Sequence, residues 1–336
     1  MASINGSAAV VAAEAGVSVG TVSNALNDPN RVAPATLERI TAAIAKLGFV
    51  RNDAARQLRA GKSKAVGLIV LDGANPFFAE LALGAERRAD ELGLSVLVAN
   101  ADEDPERERI LLNLFEEQRV LGVLISPLVV ELEPLRKLRE RGTPVVLVDL
   151  TSEDKSFSSV SVDDEAGGKI VVEHLATGGA QRIAFAGGPL IRDQIAARLQ
   201  GAQQAADAAK LPLTVIETTA MTVEEGRLVG ERLLTMPTGE RPDAIFAAND
   251  LLALGIMQAI IIDGRLSIPN DIAIVGYDDI AYSSTAIVPL SSVRQSPAVI
   301  GARALELLYA EAENQPDAIA QIVIQPELVI RASSSR

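Results

Sequence analysis

The sequence predicts a small all-α head followed by an α/β body of two doubly wound parallel sheets. In residues 1–64, short helical patterns are separated by a glycine turn. From Ala65 onward, short β-rich apolar runs alternate with helical segments, as in parallel sheets covered by helices on both faces. The length of 336 residues exceeds that of an ordinary domain of about 150 residues. With 48% hydrophobic residues, the chain can form more than one core.

Residue usage excludes several kinds of site. The chain contains no cysteine and one histidine, His174. It therefore lacks the residues for disulfide frameworks, cysteine-rich zinc sites, cysteine nucleophiles and clustered-histidine metal sites. His174 lies within a helical pattern, without the spacing of a catalytic triad, so we interpret it as a packing or surface residue. We expect neither an enzyme nor a bound metal or cofactor.

Charge is unevenly distributed along the chain. The net charge is −13, which by itself argues against a polyanionic partner. Residues 1–64, however, hold eight basic and four acidic side chains, a net charge of +4, whereas the remainder carries −17. A basic head on an acidic body is the asymmetry expected when one end of a protein binds nucleic acid.

The head has the spacing of a helix-turn-helix. Segments Ser7–Ala15 and Val19–Leu26 predict two short helices around a glycine turn. Ala12 provides the small side chain that two closely crossing helices need, and Gly16 tolerates the positive φ of the turn. Val22 is the apolar anchor of the second helix. The same pattern would suit any small helical hairpin, so the flanking residues must distinguish the two.

The flanking residues favour DNA binding. Ser7 and Ser18 are suited to cap the two helices, and Pro34–Leu47 predicts a third amphipathic helix that ends at Gly48. Asn52–Leu58 predicts a further short helix that carries basic side chains. The outward face of the second helix is then free to enter a major groove. This face comprises Val19, Gly20, Thr21, Ser23 and Asn24.

Two segments carry a resemblance to a known family. Residues 15–27, which read Ala-Gly-Val-Ser-Val-Gly-Thr-Val-Ser-Asn-Ala-Leu-Asn, resemble the DNA-binding signature of the LacI–GalR family of bacterial transcription regulators. Residues 52–58, Asn-Asp-Ala-Ala-Arg-Gln-Leu, resemble that family's hinge helix. The family usually has an acidic residue at the position of Val10 and often arginine at Asn24, so the operator base read there should differ. The resemblance implies a periplasmic-binding-protein-like body.

The resemblance also implies a set of DNA contacts. Thr21, Ser23 and Asn24 would contact base edges and phosphates, and the Asn24 amide suits bidentate pairing with adenine. Leu58 would wedge into a central minor-groove step; the alternative is a small core leucine. The predicted DNA-binding residues are Ser7, Ser18, Val19, Gly20, Thr21, Ser23, Asn24, Asn27, Arg31, Asn52, Ala55, Arg56 and Leu58.

The apolar runs of the body divide into two series. We predict strands at 66–71, 95–99, 121–125, 145–148 and 160–162, then at 183–186, 214–217, 244–247 and 272–277. Ligands bind beyond the carboxyl ends of strands in open α/β sheets, so two facing sheets would share one cleft. The predicted divisions are a head at 1–50, a hinge helix and linker at 51–64, and a body at 65–336. Within the body, subdomain 1 is expected at 65–162 and 292–321, and subdomain 2 at 163–290 and 322–336.

Polar side chains converge after the predicted strands. Carboxylates and amides accept hydrogen bonds from hydroxyl groups, arginine donates a fork, and aromatic faces cover C–H surfaces, a mixture that suits a sugar. Each position also resembles an effector contact of the family. Family members that stack their ligand often have an aromatic residue at the loop of Met221, so its absence favours a small saccharide over a purine. The predicted effector-binding residues are Asp72, Asn75, Phe77, Phe78, Ser126, Asp149, Arg198, Met221, Asn249, Asp278 and Gln295.

These residues also have a plainer interpretation. Asp149, Asn249 and Asp278 are of types that cap helices or stabilise loops. Phe77 and Phe78 could divide between the cleft and the core. We interpret other acidic residues as structural or surface groups, namely Asp250, Asp279 and the run Asp163-Asp164-Glu165.

The leading hypothesis is a ligand-responsive repressor of carbohydrate genes that binds a palindromic operator as a homodimer. Tetrameric members of the family carry an apolar heptad tail, whereas this chain ends at Ser333–Arg336. The alternative is a periplasmic-type solute-binding protein, which would share the body but leave the head unexplained.

The apolar run Ala8–Ala13 lacks the basic region of a secretory signal, and no apolar run reaches the roughly 18 residues of a membrane helix. We therefore expect a cytoplasmic protein without a membrane partner.

Overall fold

The computed structural model describes residues 7–49, 63–128, 132–152, 154–315 and 318–336. The chain divides into two units, residues 1–62 and 63–336, each with its own hydrophobic core. The predicted hinge helix at 52–58 lies outside the described residues.

The head is a small helical domain. Its helices are α1 (Ala8–Ala15), α2 (Val19–Asn27) and α3 (Pro34–Leu47), with a short 3-10 turn at Pro29–Arg31. Gly16 ends α1 with φ 62°, the left-handed conformation that the sequence predicts for the turn. Val11, Val22 and Ile40 are at most 1% exposed and belong to one apolar cluster of the head. The helix-turn-helix pattern is thus confirmed as a folded unit with its own core.

Subdomain 1 of the body contains one fully parallel sheet with strand order β11-β5-β4-β3-β1-β2 in the described residues. Its strands are β1 (Ala65–Val70), β2 (Ser95–Asn100), β3 (Val123–Ile125), β4 (Val145–Val148), β5 (Ser158–Val162) and β11 (Gln321–Ile324). Its helices are α4 (Pro76–Glu91), α5 (Pro105–Glu117), α6 (Glu133–Glu140) and α12 (Pro297–Ala312).

Subdomain 2 contains the second sheet, with order β12-β10-β9-β8-β6-β7 in the described residues. Its strands are β6 (Ile183–Gly187), β7 (Leu213–Glu217), β8 (Ala244–Ala247), β9 (Ala273–Asp278), β10 (Ser291–Arg294) and β12 (Glu327–Val329). Its helices are α7 (Asp164–Thr177), α8 (Asp193–Ala209), α9 (Val223–Thr235), α10 (Asp250–Asp263) and α11 (Ala281–Thr285).

Two of the expected boundaries between the subdomains are wrong by a few residues, namely those at the second and the third crossing of the chain from one subdomain to the other. Residues 291–294 pair with β9 in the second sheet, so the chain leaves that sheet after Arg294 rather than before Ser292. Residues 321–324 pair with β5 in the first sheet, so the final crossing follows Ile324. Strands β10, β11 and β12 were not predicted. β10 reads Ser-Ser-Val-Arg and so lacks an apolar run, and β11 and β12 are short sheet edges with exposed or half-exposed side chains.

The second sheet is not entirely parallel. Strand β12 runs antiparallel to β10, since the chain reaches it by a short turn from the neighbouring subdomain. The central strands β3, β4, β8 and β9 are buried throughout, as predicted, whereas the edge strand β2 is largely exposed. The carboxyl ends of the central strands are therefore held in place by strands that are buried on both sides.

Candidate functional site in the head and in the body

Helices α1 and α2 of the head meet as a helix-turn-helix. The chain direction turns by 103° between them, within the range of roughly 90–120° that is typical of this motif. Ala12 and Val22 are 3% and 0% exposed, so the contact predicted from their spacing lies in the core. The Ser18 hydroxyl accepts a hydrogen bond from Thr21 N at 3.1 Å and thereby caps α2. Ser7 stands at the cap position of α1, but its side chain makes no capping bond.

The outer face of α2 carries the predicted base-reading residues. Val19 is 49% exposed, and Gly20, Ser23 and Asn24 are also exposed, whereas Thr21 is half-buried with its hydroxyl 2.9 Å from that of Ser18. Beside Val19, this face presents the small hydroxyl and amide groups of Thr21, Ser23 and Asn24. Such groups can hydrogen-bond base edges or phosphates in a major groove.

The remaining predicted DNA contacts have partners within the head or lie outside the described part. Asn27 Nδ2 donates to the Ser23 hydroxyl at 3.2 Å. Arg31 is largely exposed, with its Nε 2.9 Å from Asp28 Oδ2. Asn52, Ala55, Arg56 and Leu58 lie outside the described residues.

In the body, the carboxyl ends of strands from both sheets surround a cavity, here called the cleft cavity, whose empty space is about 480 Å³ with the part that is open to solvent included. Subdomain 1 contributes the segments after β1, β2 and β4, and subdomain 2 contributes the segments after β6 to β10. The lining residues are Leu71, Asp72, Asn75, Phe77, Phe78, Glu103, Asp149, Arg192, Gln194, Ile195, Arg198, Met221, Asn249, Asp278 and Gln295. Most of the predicted effector-binding residues are therefore brought together here.

Ser126 is the exception among the predicted effector residues. It follows β3 directly and is fully buried, but it does not line the cleft cavity. Its backbone N donates to Ile69 O at 3.0 Å, just as that of Asp149 donates to Val160 O at 2.9 Å, but Asp149 has φ 57° and lines the cavity.

Several of the lining side chains are held in position at the N-termini of helices. Asn75 and Asn249 cap α4 and α10, accepting from Phe77 N at 3.0 Å and Leu252 N at 2.9 Å, so the plainer interpretation of Asn249 as a cap is also correct. Phe77 and Phe78 contact each other edge to face, with ring centroids 5.1 Å apart. Both rings line the cavity and both belong to the core of subdomain 1, so they do not divide the two roles.

Arg198 is held rigidly within subdomain 2. It lies in the second turn of α8, which begins at Asp193. Its Nε donates to Asp164 Oδ1 and its Nη1 to Ala248 O, both at 2.8 Å. The guanidinium also stacks over Tyr277, 3.8 Å from the ring centroid. These contacts leave its charge compensated before any ligand arrives.

Asp278 ends β9 and connects the two subdomains. Its Oδ2 accepts from Asn75 Nδ2 at 3.0 Å and its Oδ1 from Gln295 Nε2 at 2.7 Å. Burial raises the pKa of Asp278 to about 6, although Arg198 and the two amides oppose the shift. The carboxyl group is thus both a ligand-facing group and a bridge across the cleft.

Asp149 has an oxygen available to a ligand. It adopts φ 57° after β4, and its Oδ1 is buried without a hydrogen-bond partner among the described residues. Burial raises the pKa of Asp149 well above its usual range, and repulsion by Asp164 adds to the shift. A buried acceptor without a donor is costly, so a hydroxyl group bound here would relieve that cost.

Several lining residues were missed by the sequence analysis. Gln194 Nε2 donates to Asp149 O at 2.6 Å, and Arg192 Nη2 lies 2.5 Å from Glu103 Oε2; both contacts cross the cleft. The rule that ligands bind beyond strand ends already covers the segments after β2 and β6, but it does not say which side chain turns inward. Leu71 and Ile195 add apolar lining.

The acidic residues outside the cavity have structural roles in part, as predicted. Asp250 is fully buried and accepts from Ser283 Oγ and Ser292 Oγ, both at 2.6 Å, and from Ile280 N at 2.9 Å. His174 is half-buried, with its Nε2 2.7 Å from Ser334 Oγ. In the described residues no cluster of three or more potential ligands could hold a metal ion.

Comparison with known proteins matches both units. The family described as bacterial regulatory proteins, lacI family, matches residues 10–52, and the periplasmic binding protein-like domain matches residues 172–334. The ribose operon repressor of Bacillus subtilis (strain 168) is 33% identical over 315 residues, covering 94% of each chain. The chain belongs to the lacI family.

Further relatives extend this LacI-family assignment over the whole length. The HTH-type transcriptional repressor PurR of Haemophilus influenzae (strain PittEE) is also 33% identical and covers 96% of this chain and 97% of its own. A lac repressor dimer bound to operator and the anti-inducer ONPF superposes with a TM-score of 0.83 at 28% identity, covering 98% and 99% of the two chains.

This LacI-family chain is a DNA-binding regulator with a helix-turn-helix head and two parallel-sheet subdomains, and its relatives are repressors rather than enzymes. In the described residues, no single helix is long and apolar enough to cross a membrane. The α1–α2 pair meets that test only jointly and is bent by 103°.

Proposed function

We propose that this chain is a repressor of carbohydrate-utilisation genes that binds a palindromic operator as a homodimer and a small sugar-like effector in the cleft cavity. The observation that carries the proposal is the joining, in one chain, of an exposed polar recognition face on α2 with a cavity between two α/β subdomains.

The free polar groups of the cavity support a hydroxyl-rich effector. Asp149 Oδ1 and Gln295 Oε1 are buried acceptors without a hydrogen-bond partner among the described residues, and Arg192 Nη1 is such a donor. A hydroxyl group can serve both kinds because it donates and accepts. Phe77 and Phe78 add aromatic surface that suits the C–H faces of a sugar ring.

The relatives do not decide between a sugar and a purine, because the ribose operon repressor and the purine-type repressor are equally similar to this chain. The cavity favours the sugar. Subdomain 2 offers Met221 but no aromatic side chain among the described lining residues, so a planar base would lack a second stacking surface.

The polar contacts across the cleft suggest how ligand and DNA binding are coupled. Asn75 binds Asp278 and Gln194 binds Asp149, so the described arrangement is one in which the two subdomains contact each other. An effector that binds among these groups changes the free-energy difference between this arrangement of the two subdomains and one in which they are further apart. Such differential binding to two arrangements is what couples an effector to DNA affinity.

The proposal is tested by a gel-shift titration of the full chain on palindromic DNA, with and without candidate sugars. We expect salt-dependent, sequence-specific binding. A sugar should change the affinity for DNA at least fivefold, because coupling free energies of about 1–3 kcal/mol correspond to changes of about 5- to 150-fold. Asn24→Ala should cost about 1–3 kcal/mol of discrimination at one base pair.

The matched control for Asn24→Ala is Asn30→Ala, an exposed asparagine outside α2, which should leave base preference unchanged. Binding of the sugar with no specific DNA complex at any salt concentration would contradict the proposal and favour a solute-binding protein.

A further inference from the structure

Acidic side chains outnumber basic ones around the cleft cavity. Among the described lining residues, the acidic side chains are Asp72, Glu103, Asp149 and Asp278, and the basic ones are Arg192 and Arg198. The question for ligand selection is whether either guanidinium retains charge that a ligand could use.

The Nε and Nη1 groups of Arg198 are already bound by buried partners. Its side chain is 4% exposed, and it is ion-paired to Asp164 at 2.8 Å and bonded to Ala248 O at the same distance. Tyr277 covers the face of the guanidinium. An anionic ligand that approaches Nε or Nη1 would have to displace partners that are themselves buried, which leaves only Nη2 without a partner among the described residues.

Arg192 is compensated by a residue of the other subdomain. It precedes α8, its side chain is 6% exposed, and its Nη2 lies 2.5 Å from Glu103 Oε2. Glu103 belongs to the turn after β2, where it adopts φ 56° and its N donates to Leu71 O at 3.0 Å. The pair therefore joins two anchored segments, and Arg192 Nη1 is left as a buried donor without a partner.

Among the described residues the other carboxyl groups form no ion pair, although Arg198 acts at longer range on Asp149 and Asp278, and Arg192 on Asp72. Asp278 is bonded to two neutral amides, and Asp149 Oδ1 has no partner among the described residues. Burial raises the pKa of Asp72, Asp149 and Asp278, which indicates that nearby cations do not offset their desolvation. A negatively charged ligand would add a further unpaired charge to this site.

We infer that Glu103, by neutralising Arg192 across the cleft, makes the cavity select uncharged hydroxyl-rich effectors against phosphorylated or carboxylated ones. This rests on the proposed function for the identity of the site as an effector site. It assigns Glu103 as a specificity-determining residue. Without its carboxylate, Arg192 would present a free guanidinium fork, which is suited to bidentate binding of phosphate.

The test compares the intact chain with Glu103→Gln, using inorganic phosphate, D-ribose and D-ribose 5-phosphate as probes in calorimetric titrations. We expect the unchanged chain to bind neither phosphate probe detectably in the range where a neutral sugar binds. Glu103→Gln should bind both phosphate probes at least tenfold more tightly than the unchanged chain.

Two controls make the result specific. Glu106→Gln removes the same charge three residues along and should gain no phosphate affinity, because among the described residues Glu106 pairs only with exposed Arg109 and does not line the cavity. Glu103→Gln combined with Arg192→Gln should lose the gain, which excludes phosphate binding to the basic head.

Tight binding of D-ribose 5-phosphate by the unchanged chain, or no gain in Glu103→Gln while it stays folded by circular dichroism, would overturn the inference. Because inorganic phosphate is itself a probe, the outcome can be read without knowing the natural effector. A gain in Glu103→Gln alongside absent operator binding would sustain the role of Glu103 and reject the proposed repressor function.

Discussion

At the scale of single residues, the cleft combines groups that bind ligand with groups that hold the ligand-binding groups in place. Asp278 faces the cavity, whereas Asp250 lies behind it and is fully buried. Asp250 accepts from Ser283, Ser292 and the backbone of Ile280, which joins α11 and β10 to the end of β9. It therefore acts on the cavity through the loop that carries Asp278.

Asp250 provides a prediction about pH. Burial, with repulsion from Asp278, raises its pKa from 3.8 to about 8. A carboxyl that binds its proton more tightly in the folded chain stabilises the fold below pH 4, and this contribution is lost as pH rises towards 8. The stability advantage of the unchanged chain over Asp250→Asn should thus shrink from pH 4 to pH 8, as measured by urea denaturation.

Groups far from Asp250 are the same in the unchanged chain and in Asp250→Asn, so their titration cancels in the difference between the two free energies of unfolding. Asp207→Asn, on the exposed face of α8, should show a difference from the unchanged chain that does not vary over the same range. An advantage over Asp250→Asn that is constant or grows with pH would show that the carboxyl is not destabilised by burial.

At the scale of elements, glycines set the distance between packed helices. A Cβ added to Gly168 of α7 would lie 1.9 Å from Arg198 O, and one added to Gly201 of α8 would lie 1.9 Å from Glu165 O. The backbones of the two helices therefore touch, which fixes where Arg198 stands beside the cavity. This contact is specified by two glycines, one on each helix.

Gly201→Ala should therefore destabilise the body. Forcing a methyl group into backbone contact costs about 1–3 kcal/mol, and α8 must shift and carry Arg198 with it. We expect a lower midpoint of thermal unfolding and weaker effector binding. Gly239→Ala, where an added Cβ meets nothing within 4 Å, should be neutral or slightly stabilising. Equal effects of the two substitutions would contradict the role of the close contact.

At the scale of the whole molecule, one ligand is expected to stabilise two subdomains at once. The cleft cavity takes its lining from both, and the chain passes between them near Asp163, Gln295 and Gln325. A ligand that binds only the folded body stabilises it by about 2.7 kcal/mol at 100 times its dissociation constant.

We predict that a bound sugar raises the unfolding midpoint of the body in a concentration-dependent way, measured by differential scanning calorimetry. Asp149→Asn should reduce the rise because the replaced oxygen is a free acceptor of the cavity. Asp207→Asn again serves as the control. A rise of the same size in Asp149→Asn would place the sugar elsewhere.

The sequence by itself determined the parts of this protein that depend on local rules. Gly16 requires a turn, Val22 an apolar contact, and the apolar runs of the body specify buried strands whose ends carry polar residues. These rules were sufficient for the helix-turn-helix, for the two sheets and for most of the cavity lining, because each acts within a few residues of the chain.

Only the tertiary structure decided which side chains meet across the cleft. Glu103 and Arg192 lie on different subdomains, and Asp278 reaches Asn75 over 203 residues, so no local pattern relates them. Ser126 had the same signal as Asp149, yet it remains inside the sheet while Asp149 turns into the cavity with φ 57°. The contacts across the cleft arise from the packing of two separate layers, and their charge balance decides what the cavity can hold.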